Sequence, residues 1–160
     1  MHFRKAALGL LVFLLLPSCS LFGSEESKQD ELQRHWEIWQ EQDISNYRFN
    51  LSVGCFCPRW PYPAEVKVRS DTVVAVFDPE TGDTLRNPRT GDPALQETPG
   101  SYKPIDDLFE VIGRAIDEDY HRLSVEYNDR FGYPKKIDYE VAENLSDDQV
   151  TYDVSNFEVN

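Results

Sequence analysis

The sequence has little of what catalysis most often uses. Three histidines and three cysteines are scattered over 160 residues. There is no glycine-rich phosphate loop, no His-Glu-x-x-His helix and no Gly-x-Ser-x-Gly elbow. Those absences remove P-loop nucleotide chemistry, zincin hydrolysis and α/β-hydrolase acyl transfer from the candidate functions. His35 stands beside Trp36 in a helical stretch and His121 precedes a strand, so both read as surface or rim residues rather than general bases. No catalytic residue, cofactor or metal ligand set emerges.

Positive charge is also scarce. Sixteen Lys and Arg face twenty-nine Asp and Glu, for a net charge of −13. Such a surface repels nucleic acid and anionic headgroups and favours cations or a basic partner. The same excess of acid keeps a protein hydrated in brine, and the two origins stay open. The carboxylates are dispersed, as on solvated faces.

Long apolar runs are missing except at the start, "MHFRKAALGLLVFLLLPSCSLFG". Arg4 and Lys5 precede an apolar stretch from Ala6 to Leu16, too short for a membrane span of roughly 20 residues. This is the pattern of a secretory signal over residues 1–18. Leu16-Pro17-Ser18-Cys19 resembles the bacterial lipobox, which implies cleavage before Cys19 and a diacylglycerol on its sulfur. At about 0.8 kcal/mol per buried methylene, two or more palmitate-type chains anchor a protein stably without spanning the bilayer. Residues 1–18 hold two basic and no acidic side chains, so the remainder carries fourteen against twenty-nine, or −15. Residues 19–30 read as a lipidated tether and 31–160 as one domain.

Within the domain the periodicities alternate in kind. Leu32, Trp36 and Trp39 share one face of a first helix. "NYRFNLSVGC" then alternates strictly, with Tyr47, Phe49, Leu51, Val53 and Cys55 on one side. "AEVKVRS" and "TVVAVF" give two more strands joined at Ser70-Asp71. Asp78-Pro79 to Gly82 and Pro88-Arg89-Thr90-Gly91-Asp92 read as two successive glycine-containing turns rather than a calcium loop built from Asp78, Glu80, Asp83 and Asp92. Residues 86–103, rich in Pro, Gly and Thr, read as a long exposed loop.

A second helix follows, with Pro104 at its first position and an apolar stripe of Ile105, Leu108, Phe109, Ile112, Ala115 and Ile116. Three strands complete the chain, "RLSVEY", "KIDYEV" with Ile137, Tyr139 and Val141 inward, and "VTYDVSNFEV". The last slips phase at Ser155-Asn156, as a bulge would make it do. The expected fold is therefore α+β, a single antiparallel sheet of about six strands with two amphipathic helices on one face. The order is α-β-β-β-α-β-β-β. Strand order does not follow from the sequence, and a faded duplication of the α-β-β-β unit has no residue-level repeat behind it.

"VEYNDRFGYPKKIDYEV" carries a resemblance. With Trp36 or Trp39, Tyr47 to Phe49, Cys55 and Cys57, Leu108-Phe109 and the Gly132-Tyr133-Pro134 turn, the chain resembles an uncharacterised domain-of-unknown-function family of small bacterial lipoproteins. The likeness covers most of residues 31–159; the stretch 79–103 is longer than the pattern leads one to expect. It implies a fold and a periplasmic or surface setting in the cell envelope, and no activity.

With Cys19 lipidated, Cys55 and Cys57 remain in an oxidising compartment, where an even count favours a disulfide. Residues i and i+2 of an extended strand lie about 6.6 Å apart at 3.3 Å rise each, near the upper limit of about 6.8 Å for bridged cysteines. A bend is needed, and Pro58 permits one. Two reduced thiols, a metal thiolate pair and a redox-active pair are the alternatives. After them, "PRWPYP" spaces Arg59, Trp60 and Tyr62 along a stiff path, as a candidate binding loop or as a cover for the sheet edge. The sequence thus points to a lipid-anchored envelope protein that binds another envelope protein and no nucleic acid. A redox or metal-handling role for Cys55 and Cys57 is the alternative.

Overall fold

Alternation along β1 (Asn46–Cys55) builds the centre of the molecule: Tyr47, Phe49 and Leu51 are all fully buried. The fold is that of a computed structural model, which describes residues 26–56, 63–97, 99–143 and 148–160. β2 (Ala64–Arg69) and β3 (Thr72–Phe77) fold back from β1 as a meander, turning at Ser70 and Asp71 with φ of 47° and 58°. β4 (Arg122–Tyr127), β5 (Pro134–Glu140) and β6 (Val150–Val159) form a second meander. The two join where β1 pairs antiparallel with β6, giving one six-stranded sheet of order β3-β2-β1-β6-β5-β4.

Two long helices, α1 (Lys28–Glu41) and α3 (Ile105–Asp117), pack on the face that carries Tyr47 and Phe49, as expected. Each Leu, Ile or Phe buried there contributes roughly 1.5–3 kcal/mol. Ser27 caps α1, its Oγ accepting the Asp30 amide at 3.1 Å; Asp30 and Glu31 in the first turn suit the helix dipole. α3 differs from expectation by one residue. Pro104 stands at the N-cap, not in the first helical position, and has no side chain to cap with. The Tyr47 hydroxyl takes over that role by accepting the Ile105 amide at 2.9 Å.

The phase slip in β6 is a bulge. Asn50 faces Ser155 and Arg48 faces Glu158, so two residues of β6 oppose Phe49. Asn156 has φ 51°, and the extra residue turns Phe157 onto Tyr133 (4.6 Å between ring centroids), Tyr47 (5.4 Å) and Trp39 (5.8 Å).

The stretch read as a long exposed loop is partly structured. It contains α2 (Ala94–Glu97) and a 3₁₀ turn at Pro99–Ser101, and it buries Ala94 and Tyr102. Before it, Gly82 donates to the Asp78 carbonyl and Asp78 to that of Asp83. Gly91 bonds Asn87, and Asn87 bonds Asp92, in the same way. The turn from Asn128 to Tyr133 repeats the pattern a third time, with Gly132 donating to Asn128. An Asp or Asn side chain accepts the amide two residues on in all three.

Two further readings are corrected. Val141 lies past the end of β5 and is 42% exposed. His35 is no surface residue; it is 8% exposed and stacked on Tyr127. His121 is exposed.

Candidate functional site

β1 outruns β2. Leu51 faces Ala64 at the start of β2, so Ser52 to Cys55 pair only with β6 among the described residues, ending at Cys55 opposite Val150. α3 stops at Asp117, leaving the helix side of this end of the sheet to half-buried side chains. Val53 lies opposite Tyr152. Tyr152 neighbours Tyr139 at 6.5 Å between centroids, and Tyr139 neighbours Tyr120 at 5.3 Å. Burial, above all, raises the pKa of all three phenols, which keeps their hydroxyls protonated. Beyond them lie Phe56, 84% exposed, and Val141. The Cys55 end therefore presents an aromatic and apolar surface on an otherwise acidic chain.

The other face of the same end is polar. Arg122, Ser124, Glu126, Lys136, Asp138 and Gln149 line a shallow groove of about 340 Å³. Asp138 accepts from Arg122 at 3.0 Å, Thr151 Oγ1 at 3.2 Å and Gln149 Nε2 at 3.3 Å. Arg122 also reaches Glu140 at 3.6 Å. Arg122 is thus shared between Asp138 and Glu140, and the groove suits a polar surface contact better than chemistry. Among the described residues no group of three or more His, Cys, Asp and Glu converges as metal ligands would.

At the opposite end, Trp39, Asp43, Ser45, Asp71 and Asp106 surround a pocket of about 100 Å³. The Trp39 indole N–H donates to Asp106 Oδ1 at 2.8 Å. Burial raises the Asp106 pKa, the indole bond opposes it, and Asp71, Asp107 and Glu110 add to the rise. This pair ties α1 to the first turn of α3. Its partners are 67 residues apart, and no local signal in the sequence connects them.

The residues singled out from sequence fall unevenly. Cys55 is half-buried at the tip of β1. Cys19, Cys57, Arg59, Trp60 and Tyr62 lie outside the described residues. Gly132 has φ 80°, Tyr133 is buried, and Pro134 opens β5.

The sequence profile of a family of unknown function, DUF6174, matches residues 31–159. The chain belongs to that family. The DUF6174 region starts inside α1 and ends with the last residue of β6, so it takes in the whole sheet, α3 and all of α1 but its first three residues. No curated protein and no solved structure matches the chain. No helix among the described residues is long and apolar enough to cross a membrane.

Proposed function

We propose that this DUF6174 protein is a lipid-anchored component of a bacterial envelope, held through Cys19, and that it binds another envelope protein with the Cys55 end of its sheet. The observation that carries the binding role is the exposure of Phe56, 84%, directly after the end of β1. Large exposed aromatics at the tip of a rigid sheet are what binding hot spots use. Arg59, Trp60 and Tyr62 follow within six residues and would extend the surface. A Cys55–Cys57 disulfide would shape that loop; the even count of cysteines left beside Cys19 supports it. The anchor rests on the basic head, the short apolar run and Leu16-Pro17-Ser18-Cys19.

The test places a photo-crosslinking residue at position 56, and separately at Val159, which is 52% exposed near the opposite end of β1. In intact cells a discrete adduct should form from position 56 and not from 159. Equal labelling from both, or none from 56, rejects the site. Cys19→Ala should abolish acyl labelling and release the protein from membranes or leave its signal uncut. Retention with acylation intact rejects the anchor.

A further inference from the structure

His35 is a buried titratable group that the proposed function does not use. Its ring lies flat on Tyr127 of β4, with 3.8 Å between centroids and 3° between planes. Its Nε2 stands 3.2 Å from Arg34 Nη1. A guanidinium only donates, so Nε2 accepts, and the single proton of the neutral ring sits on Nδ1. Nδ1 is buried with no hydrogen-bond partner among the described residues. The backbone has as little room. A Cβ at Gly132, in the β4–β5 turn, would sit 2.6 Å from the His35 carbonyl oxygen and 2.9 Å from Ile38.

The surroundings divide over the imidazolium. On α1 and just before it, Arg34 opposes a second cation, while Glu31 and Glu26 favour one. Asp129 in the β4–β5 turn also favours it. β4 supplies the Tyr127 face, and α3 meets the joint with Phe109, which is uncharged. Burial is the largest influence and Arg34 the next, and together they outweigh the carboxylates and hold His35 below its ordinary pKa.

We propose that His35 is an acid-sensitive latch: neutral, it holds the first half of α1 against β4, and protonated, it lets that half go. On protonation Nε2 gains a hydrogen that points at Arg34, and an accepted hydrogen bond becomes a contact between two cations. The ring then leaves its slot on Tyr127 for water. Arg34 also holds Glu26, ahead of the helix, at 2.9 Å. Release therefore loosens the junction with the residues that precede the domain. The second half of α1 stays in place, because Trp39 is fixed by Asp106, Tyr47 and Phe157.

The sign follows from linkage. The latched state binds the proton more weakly than the open one, so the latch is intact above the ordinary His pKa of 6.5. It weakens as pH falls from there toward the lowered, latched value. Each unit between the two values makes opening about tenfold more frequent.

Hydrogen exchange of the full chain, corrected for intrinsic pH dependence, tests this between neutral and mildly acidic pH. Residues 28–35 should lose protection in acid while 36–41 and β1 keep theirs. His35→Phe, which keeps a stacked ring and cannot titrate, should abolish the loss. Arg34→Gln should raise the His35 midpoint seen by proton NMR and shrink the loss. Unchanged protection in the parent chain, or a loss that survives His35→Phe, overturns the latch. Should His35→Phe not fold, the NMR titration decides: a His35 midpoint at or above 6.5, or one that Arg34→Gln does not move, rejects it.

Discussion

The Tyr47 hydroxyl accepts the amide of Ile105 at 2.9 Å, joining the central strand to the start of α3 across 58 residues of sequence. Both residues are fully buried. Tyr47→Phe keeps the ring and removes the acceptor, leaving a buried N–H unpaired. The expected cost is about 1–3 kcal/mol, seen as a lower urea midpoint at unchanged slope. An unchanged midpoint would mean that the Ile105 amide finds another acceptor.

Trp39→Phe removes the nearer of two donors to Asp106 Oδ1, leaving Gln40 Nε2 at 3.4 Å. The folded-state pKa of Asp106 already lies above its ordinary 3.8. A raised carboxyl contributes stability when protonated and loses that contribution as pH rises through the folded value. The variant raises that value further, so its deficit against the parent should be larger at neutral pH and narrow as pH falls toward 3.8. Chemical denaturation at several pH values measures it. A deficit independent of pH would assign the whole effect to lost packing.

Gly82 and Gly132 have φ of 73° and 80°, and they differ in their surroundings. A Cβ at Gly82 meets nothing within 4 Å, whereas one at Gly132 strikes the His35 carbonyl. Gly82→Ala should cost about 1–2 kcal/mol for the left-handed conformation alone. Gly132→Ala should cost about 1–3 kcal/mol more, because backbone must move. Equal melting curves would show that the helix yields without penalty.

For the cysteines, the expectation is a protein from residue 28 onward that takes up no alkylating reagent under denaturing conditions until reduced. Replacing Cys55 and Cys57 with serine should hardly change global stability, because the ring they would close is tiny. Intact mass before and after alkylation reads the first point and a melting curve the second. Two alkylated sites in the unreduced protein would reject the disulfide; stoichiometric bound metal would favour the metal-handling alternative.

Local chemistry made much of the fold legible. The alternation of Tyr47, Phe49 and Leu51 marks β1, and the slip after Val154 locates the bulge at Ser155-Asn156. Asp78 with Gly82 marks the first turn and Pro88 to Asp92 the second, whose side-chain acceptor, Asn87, emerges only in the structure. Strand order was not legible, because β1 and β6 meet through pairings that no local pattern encodes. Tyr102 and Ala94 are buried in a stretch whose prolines and glycines break any periodicity. His35 was within reach: it lies three residues after Leu32 and four before Trp39, on the buried stripe. Its polar type masked what its spacing said. Of the candidate surface, the sequence marked Cys55 and missed the tyrosine row, which assembles from α3's end, β5 and β6.

The pairing of the first strand with the last also governs how the sheet can form. Each meander closes through neighbours in sequence, at the speed of local hairpins. The central seam waits, because Arg48 meets Glu158, 110 positions further along the chain. Until β6 exists, β1 offers an unpaired edge, apolar on one face, at what will become the middle of the sheet. Seam closure is thus the slow, high-contact-order event. A chain truncated before β6 would be left with that edge open, the kind of surface on which aggregation starts.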